Sequence, residues 1–246
     1  MILYKKSIGV SLVLLLLLVF SVNALGSQRT QFVQGSIVLG NQKTLSFWAN
    51  SEARKMPIRY LPNSASRVIT QTHYLTSDGF PEVYLVLRKY KDLSHRAWLE
   101  IRIPMRPNGR VGWVRDLALS PLYKVHTLLI VDRHSLRATL YKNGRRIWSA
   151  GVGIGKPGTP TPPGNFWIRE KFQTHAPGSL YGPVAFGTSD YSVLTDWPGG
   201  GVIGIHGTNE PGLIPGRPSH GCIRIKNSKV LQLWPLLPIG TPLWIR

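Results

Sequence analysis

Residues 45–119 alternate between apolar and polar positions in short runs that are typical of β-strands. Every second residue from 99 to 103 is apolar, which places Leu, Ile and Ile on one face of an extended segment. Residues 83–87 and 111–114 are rich in β-branched and aromatic residues, which favour strands. The Pro-Asn-Gly-Arg sequence at 107–110 predicts a tight turn between two of these strands. The pattern therefore predicts a small antiparallel β unit.

A second group of short apolar runs begins near residue 123 and continues to the end of the chain. Asn143 and Gly144 separate two strand-like runs, and this dipeptide is typical of a two-residue hairpin turn. A Gly/Pro-rich segment at 153–164 predicts a loop. Strands are predicted at residues 127–131, 138–141, 146–152, 166–171 and 241–246.

One short helix is predicted, at residues 228–234. Asn227 or Ser228 would begin it, and Pro235 and Pro238 would end it. The fold class predicted from these patterns is mainly β, in two units, with a single short helix.

The first residues have the pattern of an export signal. Lys5 and Lys6 precede an apolar run at 8–22, and small residues follow that run. We expect a signal peptide over residues 1–24 and a polar linker over residues 25–44. An uncleaved membrane anchor is the alternative, although the run is short for a bilayer span of about 20 residues. Either interpretation places the rest of the chain outside the cytoplasm.

The composition excludes several classes of protein. A hydrophobic fraction of 43% argues against intrinsic disorder, and 25 Gly with 19 Pro argue against a coiled coil. A single Cys excludes an internal disulfide framework. The 30 Lys and Arg against 11 Asp and Glu give a formal charge of +19, or +17 without Lys5 and Lys6. In an exported protein this charge favours an anionic cell-wall polymer or lipid surface over nucleic acid, although the scatter of the basic residues is typical of a solvated surface.

The single cysteine, Cys222, is the candidate nucleophile. A free thiol has a pKa of about 8.5, so it needs a base within hydrogen-bonding reach, and a neutral imidazole is suited to that role. His220 precedes Cys222 by two residues, and His206 is far enough away for a hairpin to bring it across. Gly221 would allow a substrate carbonyl to approach backbone N–H groups, as an oxyanion site requires.

Two other interpretations of these residues stay open at this point. A lone cysteine is often an inert, buried hydrophobic residue. Cys222, His206 and His220 could also hold zinc, but the sequence offers no Cys-x-x-Cys pair and no clear fourth ligand. No Asp or Glu stands beside either histidine, so a carboxylate would have to come from elsewhere, such as Asp196 or Glu210, or a backbone carbonyl would orient the base.

The C-terminal half resembles the L,D-transpeptidase (YkuD-type) family of cell-wall enzymes. The resemblance covers residues 123–246 and rests on a His-Gly pair, a loop, and a Ser-His-Gly-Cys block followed by an arginine. These are His206, Gly207, Ser219, His220, Gly221, Cys222 and Arg224. Residues 161–164 and 181–186 support it.

The resemblance implies acyl transfer on peptidoglycan stem peptides, without cofactor or metal. Cys222 would take the acyl group, His206 would move the proton, and the carbonyl of Gly207 would orient the imidazole. His220 and Gly221 would form or support the oxyanion pocket.

Two further residues complete the implied site. Ser219 and Arg224 would organise it or bind a substrate carboxylate. An amine acceptor would give a cross-link or a protein attachment, and water would give an L,D-carboxypeptidase. A non-catalytic wall-binding protein is the alternative of a different class. The expected location is the periplasm or the cell wall, with contact to a membrane only through an uncleaved signal segment.

The resemblance also specifies an architecture. Residues 98–101 and 106–114 resemble the bacterial Src-homology-3-type barrels that accompany wall enzymes. We therefore expect a small N-terminal β-barrel at residues 45–119, acting as a targeting or positioning module. A catalytic β-sandwich with a short helix would follow at residues 123–246.

Overall fold

The computed structural model describes residues 33–174, 178–196 and 198–246. This described part of the chain is mainly β, as predicted, and forms two sheets and one short α-helix. The expected signal peptide, residues 1–24, lies outside the described residues. Within the described ranges, no helix is long and apolar enough to cross a lipid bilayer.

The first sheet comes from the N-terminal half of the chain. Its eight strands are β1 (Ile37–Val38), β2 (Ser46–Asn50), β3 (Pro57–Arg59), β4 (Val68–Gln71), β5 (Val83–Lys91), β6 (Ala97–Arg102), β7 (Val111–Arg115) and β8 (Tyr123–Val125). They are ordered β4-β3-β7-β6-β5-β2-β8, with β1 paired to β5. Among the described residues no pairing joins β4 to β8, so closure into a barrel stays a prediction.

The strands predicted around residues 83–114 are confirmed as β5, β6 and β7, which pair antiparallel. Their alternation buries Tyr84, Ile101 and Val114 in one hydrophobic cluster. The predicted turn connects β6 to β7, and Gly109 within it has a φ of +88°, which a side chain would disfavour.

The second sheet comes from the C-terminal half. Its ten strands are β9 (Thr127–Asp132), β10 (Arg137–Lys142), β11 (Arg145–Gly151), β12 (Gly153–Gly155), β13 (Gly164–Gln173), β14 (Val184–Tyr191), β15 (Val202–His206), β16 (Gly216–Ser219), β17 (Ile223–Arg224) and β18 (Pro242–Ile245). They are ordered β11-β10-β9-β18-β13-β14-β15-β17-β12-β16. Short 3-10 turns lie at Asp116–Ala118, Pro198–Gly201 and Pro211–Leu213.

Two local signals in the second half are confirmed, whereas the loop predicted at 153–164 is wrong at its start, because Gly153–Gly155 pairs with β16 and β17 as strand β12. Asn143 and Gly144 have φ values of +50° and +77°, the left-handed pair that a tight turn between β10 and β11 requires. The one helix, α1, is Asn227–Leu233, one residue earlier than predicted at each end. It buries Val230 and Leu233 in the core of the second sheet.

The two sheets contact each other directly. The indole Nε1 of Trp167 donates a hydrogen bond to the carbonyl of Val83 at 2.8 Å, and Trp167 packs in a cluster with residues of β5. The Tyr123–Val125 strand, at the expected start of the second unit, pairs with β2 of the first sheet, and β1 lies within the expected linker. The boundaries of the two units therefore stay predictions.

Candidate active site

His206 is the last residue of β15 and is almost fully buried. Its Nδ1 lies 2.6 Å from the carbonyl oxygen of Gly207. Because a carbonyl oxygen can only accept, Nδ1 carries the ring proton and Nε2 presents a lone pair. The residue is therefore held as the tautomer that can accept a proton at Nε2.

The surroundings of His206 keep its imidazole neutral. Burial, which is the largest effect, and the nearby positive charge of Arg224 together lower the pKa of His206 to about 4, against the opposing effect of the Gly207 hydrogen bond. A neutral ring at pH 7 is the form that a general base requires.

Cys222 is a free thiol in the turn between β16 and β17. Its Sγ accepts a hydrogen bond from the backbone N–H of Gly204 at 3.4 Å. Burial raises the pKa of Cys222, whereas that hydrogen bond and the charge of Arg224 lower it. The negative charge that Asp190 can carry raises it further. The thiol is therefore protonated at neutral pH and needs a base before it can act as a nucleophile.

Gly204 leaves space between the imidazole and the sulfur. A Cβ atom placed on Gly204 would lie 3.7 Å from Cδ2 of His206 and 3.9 Å from Sγ of Cys222. The two side chains approach because β15 and β17 are parallel neighbours, with Ile205 opposite Ile223. The structure thus brings together the two residues that the sequence singled out as base and nucleophile.

Ser219 shapes the turn that carries the sulfur. Its Oγ donates to the carbonyl of Cys222 at 2.6 Å and accepts the N–H of Gly221 at 3.1 Å. Gly221 has a φ of +131°, and a Cβ there would lie 2.6 Å from Cδ1 of Ile203. Thr161, from the predicted Gly/Pro loop, donates to the carbonyl of Gly221 at 2.6 Å. The turn therefore requires glycine, and the N–H of Gly221 is already engaged by Ser219.

His220 has a different environment from His206. Its Nε2 lies 3.1 Å from Nζ of Lys156, and an ammonium group can only donate, so Nε2 accepts this hydrogen bond. The structure therefore pairs His220 with Lys156 and places His206 beside the sulfur, a choice that sequence spacing left open.

Arg224 lies opposite His206 in the register of β15 and β17. Its Nη1 is 2.6 Å from Oε2 of Glu210, and its buried Nε has no hydrogen-bond partner among the described residues. Glu210, one of the two acids considered as an orienter of the base, thus pairs with Arg224. The arginine borders a narrow cavity of about 30 Å³ together with Cys222 and His206.

A larger cavity of about 500 Å³ is also lined by His206 and Cys222. The ring of Tyr181 meets the His206 ring edge to face, with 4.8 Å between centroids. Phe172, on β13, stacks at 5.8 Å with Phe80. Phe80 and Asp78 belong to the loop between β4 and β5, so the first sheet contributes a wall of this cavity.

No local motif marks these cavity residues, so the sequence does not predict them. Tyr181 was noted only as part of a supporting segment, and the contribution of the β4–β5 loop depends on the contact between the two sheets. Within residues 33–174, 178–196 and 198–246, no three His, Cys, Asp or Glu side chains converge in a way that could hold a metal ion.

The C-terminal half of the chain is similar to a known family of catalytic domains. Residues 126–245 match the family model described as the YkuD L,D-transpeptidase catalytic domain. The chain is 34% identical over 103 residues to the YkuD protein of Bacillus subtilis (42% of this chain, 56% of that protein). It is 32% identical over 97 residues to the YqjB protein of the same organism (37% of this chain, 54% of that protein). The chain thus spans about half the length of these curated relatives.

A solved structure with the same type of domain is also similar. The crystal structure of an Enterococcus faecium L,D-transpeptidase is 28% identical, with 49% of each chain covered and a TM-score of 0.38. The family match contains His206 and Cys222, the pair that borders both cavities. Residues 126–245, just under half of the chain, match the YkuD family of L,D-transpeptidase catalytic domains.

Proposed function

We propose that the protein is a peptidoglycan L,D-transpeptidase that uses Cys222 as its nucleophile. The observation that carries this proposal is the arrangement of His206, whose Nδ1 is hydrogen-bonded to the Gly207 carbonyl and whose Cδ2, like Sγ of Cys222, lies within 4 Å of the position of a Cβ on Gly204. Family membership supports the substrate class, which is the tetrapeptide stem of peptidoglycan.

The first half of the reaction forms a thioester. Nε2 of His206 takes the proton from the thiol as Sγ of Cys222 attacks the carbonyl carbon of the third residue of the stem. The tetrahedral intermediate then collapses with cleavage of the C–N bond. The proton on Nε2 passes to the departing amine of D-alanine, which leaves Cys222 acylated and His206 neutral.

The second half transfers the acyl group. An acceptor amine attacks the thioester carbonyl and gives up a proton to Nε2 of His206. The C–S bond breaks, and the proton returns to the sulfur of Cys222. Water in place of the amine would give the L,D-carboxypeptidase reaction with the same residues.

The neighbouring residues have supporting roles in this proposal. His220 and Gly221 flank the sulfur and support the oxyanion, and the engagement of the Gly221 N–H by Ser219 favours support over direct donation. Ser219 holds the nucleophile turn. Arg224, with a buried Nε that lacks a partner, is suited to attract a substrate carboxylate.

The location and further partners belong to the same proposal. We place the enzyme outside the cytoplasm, in the periplasm or cell wall, where its substrate lies. The formal charge of +19 suits contact with anionic wall polymer.

Incubation of the exported protein with a disaccharide-tetrapeptide, followed by intact-mass analysis, tests the proposal. We expect an acyl adduct on Cys222 and release of D-alanine, both abolished by Cys222→Ser. Dimeric products support transfer, and tripeptide products alone support the carboxypeptidase. Binding to sacculi that Cys222→Ser leaves intact, without any adduct in the unsubstituted protein, would favour the wall-binding alternative.

A further inference from the structure

We propose that Arg106 and Asn108, in the turn between β6 and β7 of the first sheet, are positioning residues for the Cys222 nucleophile. They hold the segment that leads from β14 to β15, and this segment forms the support under the turn that carries Cys222. The inference rests on the proposed function for its kinetic effect, but its geometric basis is independent of the substrate.

Asn108 is hydrogen-bonded to the last residues of β14. Its Nδ2 donates to Oδ1 of Asp190 at 2.7 Å and to the carbonyl of Tyr191 at 2.9 Å, while its Oδ1 accepts the N–H of Tyr191 at 3.1 Å. Asp190 is completely buried, so this amide provides a hydrogen bond that the carboxyl could not obtain from solvent. The side chain of Asn108 therefore fixes both the backbone and a buried acid at the point where β14 ends.

Arg106 forms hydrogen bonds to carbonyl groups of the segment that follows β14. Its guanidinium donates to the carbonyl oxygens of Ser192, at 3.0 Å, and of Leu194 and Gly200, each at 2.9 Å. Its Cζ also lies 4.8 Å from the centre of the Tyr191 ring. Three carbonyls converge on one cation, so the placement of Ser192 and Leu194 relative to Gly200 depends on Arg106.

The segment held by Arg106 contacts the nucleophile turn. Oγ of Ser192 donates to the carbonyl of His220 at 3.4 Å. It also lies 3.4 Å from the position of a Cβ on Gly221, beside Cδ1 of Ile203. The next residues of the chain form β15, which carries the Gly204 N–H that binds the sulfur. A shift of this segment would therefore move the nucleophile turn and the strand of the base together.

Arg106 and Asn108, called the brace from here on, are not needed merely to join the two sheets. Glu82 and Arg169 form a buried ion pair between them, with Nη2 and Oε2 2.5 Å apart. The indole of Trp167 forms a separate hydrogen bond to Val83. These contacts lie outside the β14–β15 segment, so removal of the brace should leave the sheets docked but the site displaced.

The variants Arg106→Ala and Asn108→Ala test the proposal, with Arg106→Lys as the conservative replacement. Arg115→Ala is the matched control, because Arg115 also donates to a carbonyl, that of Ala97 at 3.2 Å, and lies over an aromatic ring, that of Trp98 at 5.5 Å, but within the first sheet. The readouts are kcat and KM for acylation by a disaccharide-tetrapeptide, the alkylation rate of Cys222 by iodoacetamide, and the Tm.

We expect Arg106→Ala and Asn108→Ala to lower kcat by about 10- to 100-fold, since misplacement of about 1 Å can cost that much. KM should stay within about twofold of the unsubstituted value, the alkylation rate should change by at least about threefold, and Arg106→Lys should recover part of kcat. Arg115→Ala should leave kcat and the alkylation rate within about twofold. If Arg106→Ala does not fold, the proposal is judged from the kcat and the alkylation rate of Asn108→Ala and Arg106→Lys.

The proposal is overturned if the folded brace variants match Arg115→Ala in both kcat and alkylation rate, because the brace would then be structural only. If the unsubstituted protein forms no acyl adduct, the proposed function fails separately. In that case the alkylation rates alone decide: rates equal to those of the unsubstituted protein overturn the inference, and altered rates support it.

Discussion

Nδ1 of His206 lies 2.6 Å from the carbonyl oxygen of Gly207, its own neighbour in the chain. The group that orients the candidate base is therefore encoded one residue away and needs no carboxylate from another element. Glu210, the acid that came within reach of the site, forms its ion pair with Arg224 instead. Because the two residues are adjacent, this hydrogen bond restricts little additional chain. The selection of one tautomer therefore costs little conformational entropy.

The two histidines of the motif should have unequal effects on acylation. His206→Ala removes the base beside the sulfur and should slow formation of the acyl-enzyme by roughly 100- to 10,000-fold. His220→Ala removes a partner of Lys156 and should leave partial activity. His134, an exposed histidine in the same half, supplies the control variant His134→Ala. Time-resolved intact-mass analysis measures the rates, and small, equal losses for His206→Ala and His220→Ala would contradict the assignment of the base.

The acid limb of the acylation rate should lie near pH 4. The pKa of His206 is lowered to about 4 by burial, so the ring stays neutral and able to accept a proton well below the pH at which a free histidine becomes charged. A rate profile between pH 3 and 8, together with an NMR titration of the His206 ring, checks this. If the rate fell and the NMR signal titrated with midpoints near pH 6.5, the ring would be solvated.

Stability should fall as the pH drops from about 6.5 to about 4. An unfolded His206 binds a proton below a pKa of about 6.5, whereas the folded ring resists protonation until about pH 4, so the unfolded state gains protons first. The contribution of this residue is therefore fully present above pH 6.5 and decreases below it, by up to about 3 kcal/mol.

Urea unfolding at pH 7.5 and pH 4.5 measures this change. The variant His206→Gln should lose less stability between these two pH values than the unsubstituted protein loses. An equal loss in both would assign the pH effect to other groups.

Two glycines near the sulfur should respond differently to alanine. Gly204→Ala adds a methyl at ordinary contact distance from Cδ2 of His206 and Sγ of Cys222, so the fold should persist while the methyl obstructs access between them. We expect kcat/KM to fall by about 10-fold with little change in Tm. Gly221→Ala forces a side chain against Cδ1 of Ile203 at a φ of +131°, so it should destabilise the fold.

The double variant Gly221→Ala with Ile203→Val separates the two causes at that position. Removal of Cδ1 should relieve the steric contact but not the backbone strain, so only part of the lost Tm should return. Full recovery of the Tm in the double variant would mean that backbone strain at position 221 contributes nothing to the loss. A Tm that Gly221→Ala leaves unchanged would contradict the described turn.

The ion pair between the sheets should matter far more than a surface pair. Glu82→Gln leaves the guanidinium of Arg169 buried without its counter-charge, which typically costs about 3–5 kcal/mol. The pair of half-buried Asp132 and exposed Arg246 is the control, and Asp132→Asn should cost less than about 1 kcal/mol. Denaturant unfolding compares the two variants, and similar small costs would indicate that the Glu82 pair is accessible to solvent.

Many local features of this protein could be predicted from short stretches of sequence. Asn143 and Gly144 determine a tight turn because both adopt left-handed backbone conformations. The prolines after residue 234 end the only helix that was predicted. The Ser219–Cys222 turn is held in part by hydrogen bonds among its own residues, so its motif could point to Cys222 as the candidate nucleophile.

Contacts between distant segments were decided by the tertiary structure. Spacing could not choose between His206 and His220 as the base, because the choice depends on β15 lying parallel to β17 and on Lys156 reaching His220. The predicted turn before β7 gave no sign that Asn108 would reach Asp190, 82 positions away. The contact of Asn108 with Asp190 forms only when the two sheets dock, and docking depends on buried apolar surface and paired charges that no short motif records.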